Sequence, residues 1–467
     1  MPRLDAEFVQ NALGAELSGA LPAEAFAGVS TDSRTLSDGE LFVAIKGPNF
    51  DGHDFVEQAL GRGAAAALVG RNFATPSSNQ ACLLRVEDTT RALGDLAAAW
   101  RKEHSALVIA VTGSNGKTTT KEMLASILAQ RHRVLKNQGN FNNHIGLPLT
   151  LLQLSAEHTV MVLEMGMSAA GEIARLTEIA APEVGLVTNV GPAHLEFFGS
   201  VEAIAAAKAE LYQGLSPAAT AVINQDDPLL APWAKQLGCR ILTFGFSPGA
   251  DMRGHDLASV GDHLEFTLEP PSGDPVHIGL GLPGRHNAHN ALAAAAGAWA
   301  LGQGPEAIKA GLETVRPLKG RLASQPAPGG YTVVDDTYNA NPFSVAGGLE
   351  ALKAMAGSQG MILILGDMLE LGPEAPRMHR EAGLLAAKAG CRAVLSLGRF
   401  ADEVAQGAQE GGIDPRLALG FDDLQELLHQ ARTLLKESDV VLVKGSRASR
   451  MERVTDALMA GEADHAV

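Results

Sequence analysis

Ala106-Leu107-Val108-Ile109-Ala110-Val111-Thr112-Gly113-Ser114-Asn115-Gly116-Lys117-Thr118-Thr119-Thr120 is an apolar run that breaks into a glycine-lysine-threonine loop. It reads as a buried strand feeding a phosphate-binding loop and then a helix. Two glycines let backbone N–H groups turn inward around an anion, the following helix points its positive end at the same spot, and Lys117 adds a full charge. Thr118 can place its hydroxyl on a magnesium ion. Gly113 stands three residues before Gly116, where the general G-x-x-x-x-G-K-[ST] pattern sets its first glycine five before. A plain strand-to-helix turn needs neither the lysine nor the run of hydroxyls. Gly113, Ser114, Asn115, Gly116, Lys117, Thr118 and Thr119 are therefore read as a site for nucleotide phosphates.

Outward from this loop, strands alternate with helices, at 160–163, 185–190, 219–223 and 241–244. Such alternation predicts a parallel sheet flanked by helices, within a central unit of residues 105–320. A third unit, residues 321–467, repeats the pattern at 331–334, 361–365, 393–397 and 440–443, as a doubly wound, Rossmann-like sheet would. The Pro- and Gly-containing stretch 325–330 shortly precedes its first strand. Residues 1–104 close with a helix at 89–101 and carry short strands but no phosphate loop, as in a small α/β domain. The expected fold is thus three α/β domains with the nucleotide loop in the middle one, in keeping with 467 residues at about 150 per domain.

Composition narrows the function classes. Apolar residues make up 46% of the chain, yet no apolar run approaches the roughly 18 residues of a membrane span. With no signal-like N-terminus, a soluble protein of the cytoplasm is expected. Cys82, Cys239 and Cys391 are odd in number and far apart, which argues for reduced thiols and against a disulfide frame or zinc site. A formal charge of -16 disfavours nucleic acid as a partner.

Several ionisable or amide groups follow the loop where chemistry would want them. Glu164 closes an apolar strand, so its carboxylate emerges at the edge of the sheet where ligands bind and where a magnesium ligand belongs. His194 sits just past the next strand and reaches the same edge. In the Ala-rich helix at 203–215, Ile204, Lys208 and Leu211 fall at i, i+4 and i+7, placing the Lys208 amine on the core-facing stripe or snorkelling from its margin. Asn287 and Asn290 stand three apart on one face of a later helix. Capping accounts for only one of them. Arg321 and Asp336 flank the first strand of the third unit, where an arginine can meet phosphate and an acid can accept from ribose hydroxyls.

In this order, the loop, Glu164, the Asn189 to His194 segment, Lys208, His286-Asn287 with Asn290, Arg321 and Asp336 resemble the ATP-dependent Mur ligases, which build the peptide stem of peptidoglycan precursors. The short glycine spacing is the one that family uses. Thr31-Asp32-Ser33-Arg34, Gly39 to Ala44 and Asp51-Gly52-His53-Asp54-Phe55 resemble the uridine-diphosphate-binding domain of the branches adding the third stem residue or the terminal dipeptide. Asn140 to Pro148, Asp335 to Pro342 and Gly366 to Gly372 are similar to the dipeptide-adding branch.

The resemblance implies a reaction. ATP, with Mg2+, would activate the carboxylate of UDP-N-acetylmuramoyl-tripeptide as an acyl phosphate, and the amine of D-alanyl-D-alanine would displace phosphate. It implies Lys117, Glu164, His194 and Lys208 as catalytic residues, with Thr118, Glu164, His194 and Lys208 toward metal and Lys208 carbamoylated as in relatives. Nucleotide contacts would add Asn287, Asn290, Arg321, Asp336 and Asn339 to the loop. Ser33, Arg34, Lys46 and His53 would meet the uridine diphosphate, and Asn142, Asn143 and Glu172 the sugar-peptide portion. Asp367, Glu370, Lys444 and Arg447 are weaker candidates for the dipeptide. A monomer is expected. Two other readings are a folylpolyglutamate synthase-like ligase, which lacks the Asp32-Ser33-Arg34 and Asp51-Gly52-His53 segments, and a nucleotide-dependent module without catalysis, which has no need of Lys208, Asn287, Arg321 and Asp336 together.

Overall fold

The computed structural model describes residues 4–75, 82–193 and 195–460. Three sheets follow one another along the chain. The first has five short strands in the spatial order Glu16–Ser18, Leu83–Val86, Ala66–Gly70, Leu41–Val43, Val29–Ser30, all parallel but the first. The helix Thr89–Lys102, capped by the Asp88 carboxylate, carries the chain into the second sheet.

The strand Leu107–Thr112 lies between Val160–Glu164 and Val184–Val187, in parallel register with both. Val108, Ile109, Ala110 and Val111 are fully buried, alternately in the apolar clusters on the two faces of the sheet. That is why this strand reads as a continuous apolar run. The parallel series continues through Thr220–Asn224 and Arg240–Gly245 on one side and ends at Val134–Lys136 on the other.

Three further strands extend this sheet and were not expected: Met252–Val260, His263–Glu269 and Val276–Leu280, of which the last two pair antiparallel. In His263–Glu269, Leu264, Phe266 and Leu268 turn inward and polar residues outward, as a sheet with one covered face requires. The strand expected at 185–190 stops at Val187, because Thr188 and Asn189 turn away to bond the phosphate loop.

The third sheet is ordered Ala323–Pro326, Thr332–Asp336, Val440–Lys444, Met361–Gly366, Ala393–Leu397, Ala418–Phe421, parallel apart from its first strand. The stretch 325–330 does more than precede a strand. It belongs to a hairpin in which Ala323–Pro326 pairs antiparallel with Thr332–Asp336, with Pro326 on the edge, where a missing N–H breaks no ladder. Among the described residues no helix is long and apolar enough to cross a membrane. Cys82, Cys239 and Cys391 are free thiols.

Candidate active site

The carboxyl edges of the second and third sheets face a common cleft of about 430 Å³. Its floor is the loop Gly113 to Lys117. Gly113 and Gly116 adopt φ of 149° and 80°, and a Cβ at either would collide, with the Thr188 hydroxyl or the Asn290 amide oxygen. Only glycine admits this conformation beside those neighbours. Asn189 receives the Asn115 N–H on its side-chain oxygen at 3.0 Å and returns its own amide to the Asn115 carbonyl at 3.1 Å. Thr188 donates to that same carbonyl at 2.6 Å.

The helix Lys117–Leu128 begins at the loop. The Lys117 ammonium folds back onto the Gly113 carbonyl at 2.7 Å, and burial holds its pKa below the usual lysine value. Thr118 donates its hydroxyl to Glu164 Oε2 at 2.8 Å, while the Asn142 amide donates to Glu164 Oε1 at 2.8 Å. A hydroxyl and a carboxylate side by side are hard oxygen donors of the kind magnesium selects.

Lys208 lies on the helix Val201–Gln213, which Ser200 caps. It is buried, lines the cleft, and has its pKa pushed well below the ordinary lysine value by burial first and by the Lys117 charge second. His194 lies outside the described residues.

The other wall comes from later in the chain. The helix Arg285–Ala300 starts at Gly284, so Asn287 is not its cap. The Asn287 amide donates instead to the Pro283 carbonyl at 2.7 Å and accepts from Asn290 at 3.0 Å. Arg321 donates to Thr118 Oγ1 at 2.9 Å and stacks 4.2 Å over the Tyr338 ring. Asp336 accepts from Lys444 at 2.6 Å, and Lys444 also donates to the Asn339 carbonyl at 2.9 Å. Asn341, absent from the sequence expectations, donates to Asn115 Oδ1 at 2.9 Å while capping the helix Pro342–Ala356. An Asn-Pro pair was its signal, since it marks a helix start.

The cleft thus gathers the loop residues Gly113 to Thr119 with Glu164, Lys208, Asn287, Asn290, Arg321, Asp336, Asn339, Asn142, Asn143 and Glu172. Glu172 is partly committed, accepting from the Ser168 N–H at 2.6 Å. Ser33, Arg34, Lys46 and His53 do not line it. Ser33 donates to Gln58, exposed Arg34 pairs with Asp32, and exposed Lys46 lies 3.8 Å from Asp51. His53 has both ring nitrogens engaged, by Asp51 at 2.6 Å and by the Gly70 N–H at 2.9 Å. It shapes its turn and has no ring nitrogen left for a ligand.

Among the dipeptide candidates, Asp367 accepts from the Arg399 and Phe400 N–H groups, and Arg447 faces solvent near Glu452. Glu370 meets the central unit through its carbonyl, which accepts from the Glu196 N–H at 3.1 Å. Lys444 is spent on Asp336.

Three family models match the chain: "Mur ligase family, catalytic domain" over residues 25–101, "Mur ligase middle domain" over 111–298, and "Mur ligase, glutamate ligase domain" over 320–447. The UDP-N-acetylmuramoyl-tripeptide--D-alanyl-D-alanine ligase of Escherichia coli is 41% identical, covering 92% of this chain and 93% of its own. The enzyme of the same name from Bacillus subtilis is 37% identical over the same shares. A crystal structure of MurF from Acinetobacter baumannii superimposes with a TM-score of 0.90 at 34% identity, covering 98% of this chain and 99% of that one. MurF from Thermotoga maritima in complex with ADP gives 0.83 at 31% identity, over 93% and 97%.

Proposed function

The chain belongs to the Mur ligase family, and from that membership we infer that it is an ATP-dependent amide ligase. It joins D-alanyl-D-alanine to UDP-N-acetylmuramoyl-tripeptide, giving the pentapeptide, ADP and phosphate. The observation that carries the assignment of roles is the continuous chain Arg321, Thr118, Glu164, Asn142. It links the third unit, the nucleotide loop and the 140–146 segment through bonds of 2.8 to 2.9 Å.

An oxygen of the tripeptide carboxylate attacks the γ-phosphorus of ATP, and the bond to the β-bridging oxygen breaks to release ADP. The dipeptide amine then attacks the acyl carbon and loses a proton as the C–O bond to phosphate breaks. Both steps bring anions together, so holding and neutralising them is the main task, and alignment alone can supply roughly 7–11 kcal/mol. In this reading Lys117 and Arg321 neutralise β- and γ-phosphate charge, a role that their positions at the loop support. Asn287, Asn290, Asp336 and Asn339 border the nucleoside side. Asn142, Asn143 and Glu172 face the sugar-peptide portion, and Ser33, Arg34 and Lys46 supply the uridine diphosphate contacts, with His53 ordering the Asp51 turn that lies beside Lys46.

Thr118 and Glu164 would hold magnesium, which supplies charge neutralisation to the phosphates when bound. His194 and Lys208 are assigned to a second metal. Burial, and then the Lys117 charge, lower the Lys208 pKa, a shift toward the neutral amine that carbamoylation requires. We place the protein in the cytoplasm as a monomer without nucleic-acid or membrane partners, and divide it at residues 104/105 and 320/321.

The acyl-phosphate route is tested with tripeptide labelled with ¹⁸O in its terminal carboxylate. One labelled oxygen is expected in the released phosphate. Unlabelled phosphate would contradict the route.

A further inference from the structure

We propose that Asn137, held by Lys121, is a positioning residue that sets the 137–146 substrate segment against Glu164 and so places the peptide carboxylate relative to the nucleotide loop. Neither residue has a role in the site described above. The Asn137 side chain is buried and spends both its N–H donors and its oxygen on that one junction. Its amide donates to the Glu164 and Phe141 carbonyls, each at 2.9 Å, and its oxygen accepts from the Glu164 N–H at 2.9 Å. Glu164 is thereby gripped from both sides of its own backbone. A few residues on, the Asn142 carbonyl accepts from the Gly166 N–H at 2.8 Å, and its amide reaches the Glu164 carboxylate.

Lys121 closes the bracket from the other side. It follows Lys117 by one helical turn and is 1% exposed, an expensive place for a cation unless it is paired. Its ammonium donates to the Asn137 carbonyl at 2.8 Å and stands 3.4 Å from Glu122 and 3.8 Å from Glu164. Lys136, next to Asn137, is paired with Glu122 as well. The helix that begins at the phosphate loop therefore holds the 137–146 segment through the buried Lys121 charge, and the strand ending at Glu164 holds it through the buried Asn137 amide. The turn of the phosphate loop at Asn115 is held by a separate set, Thr188, Asn189 and Asn341, and the bracket reaches the loop through the Thr118–Glu164 hydrogen bond. Loosening the bracket should thus misplace the peptide substrate while leaving nucleotide binding intact.

The inference rests on the reading of Asn142 and Asn143 as substrate contacts, and one control separates the two. The full chain is titrated calorimetrically, without metal, with UDP-N-acetylmuramoyl-tripeptide and separately with ADP. Asn137→Ala and Lys121→Met are each expected to weaken tripeptide binding about tenfold or more, as loss of a buried hydrogen bond to the site should, with ADP binding within about threefold of wild type. Their double variant should be less than additive, because both act on one bracket. Wild-type tripeptide affinity in both variants, or equal weakening of both ligands, would overturn the proposal. So would failure of both to fold, since the bracket would then serve the core alone. If Asn142→Ala binds tripeptide as wild type does, it is the substrate reading of the segment that falls.

Discussion

Arg321 Nη2 donates to Thr118 Oγ1 at 2.9 Å, joining a residue at the entry to the third sheet to the first turn of the phosphate-loop helix. The guanidinium carbon also lies 4.2 Å over the Tyr338 ring, so its position is fixed from two sides. Arg321→Ala should lower kcat/KM for ATP by about 10²-fold or more, the usual cost of a preorganised charge at a transferring phosphoryl group. Arg321→Lys keeps the charge but loses the planar stack, and should recover only part of it. Steady-state kinetics check both, and an unaltered Arg321→Ala enzyme would remove the residue from catalysis.

Gly116→Ala tests the loop's geometry. A side chain there would have to adopt φ of 80° and displace the Asn290 amide. Strain of about 1–3 kcal/mol is expected, seen as a lowered midpoint of thermal unfolding, together with loss of ADP binding. Normal ADP affinity in the variant would mean that the loop does not cradle the phosphates.

Lys208→Ala should be nearly inactive. If the buried amine works as a carbamate, short carboxylates should restore turnover better than bicarbonate, because a free carboxylate can fill the space whereas bicarbonate has no amine left to react with. A wild-type-like variant would end the carbamate role.

His286 gives a pH signature. Burial, helped by the Lys444 charge, pushes its pKa down from 6.5 to about 4, and its Nδ1 is sealed from solvent without a partner. Between those values the unfolded chain binds a proton that the folded protein refuses, so stability falls as pH drops through that window. Between about pH 7 and pH 4, wild type should lose roughly 1–3 kcal/mol more than His286→Gln in urea unfolding. Parallel pH profiles for the two proteins would contradict this.

Much of the fold was legible because its signals are local. The central strand is apolar throughout since both its faces are covered, and the glycines of the loop stand where the backbone demands them. The strands Met252–Val260 to Val276–Leu280 are less legible although Leu264, Phe266 and Leu268 alternate with polar residues, because the helix–strand alternation of the preceding chain breaks there into strands with no helix between them. Lys121 was legible in principle from its four-residue spacing after Lys117, which puts both lysines on one face. Asn137 was not, because its partners are main-chain groups of Glu164, brought to it by strand pairing 27 residues along the chain. Likewise, nothing local to Asp367 tells that its carboxylate is already spent on the Arg399 and Phe400 N–H groups, or to His53 that the Gly70 N–H takes its second ring nitrogen.

The most direct measurement is phosphate release from ATP by the purified protein with UDP-N-acetylmuramoyl-tripeptide and Mg2+, with and without D-alanyl-D-alanine, followed by mass analysis of the product. Release that depends on the dipeptide, with a matching yield of UDP-N-acetylmuramoyl-pentapeptide and none from Lys117→Ala, is the predicted result. Release indifferent to the dipeptide, with no pentapeptide formed, would contradict the account.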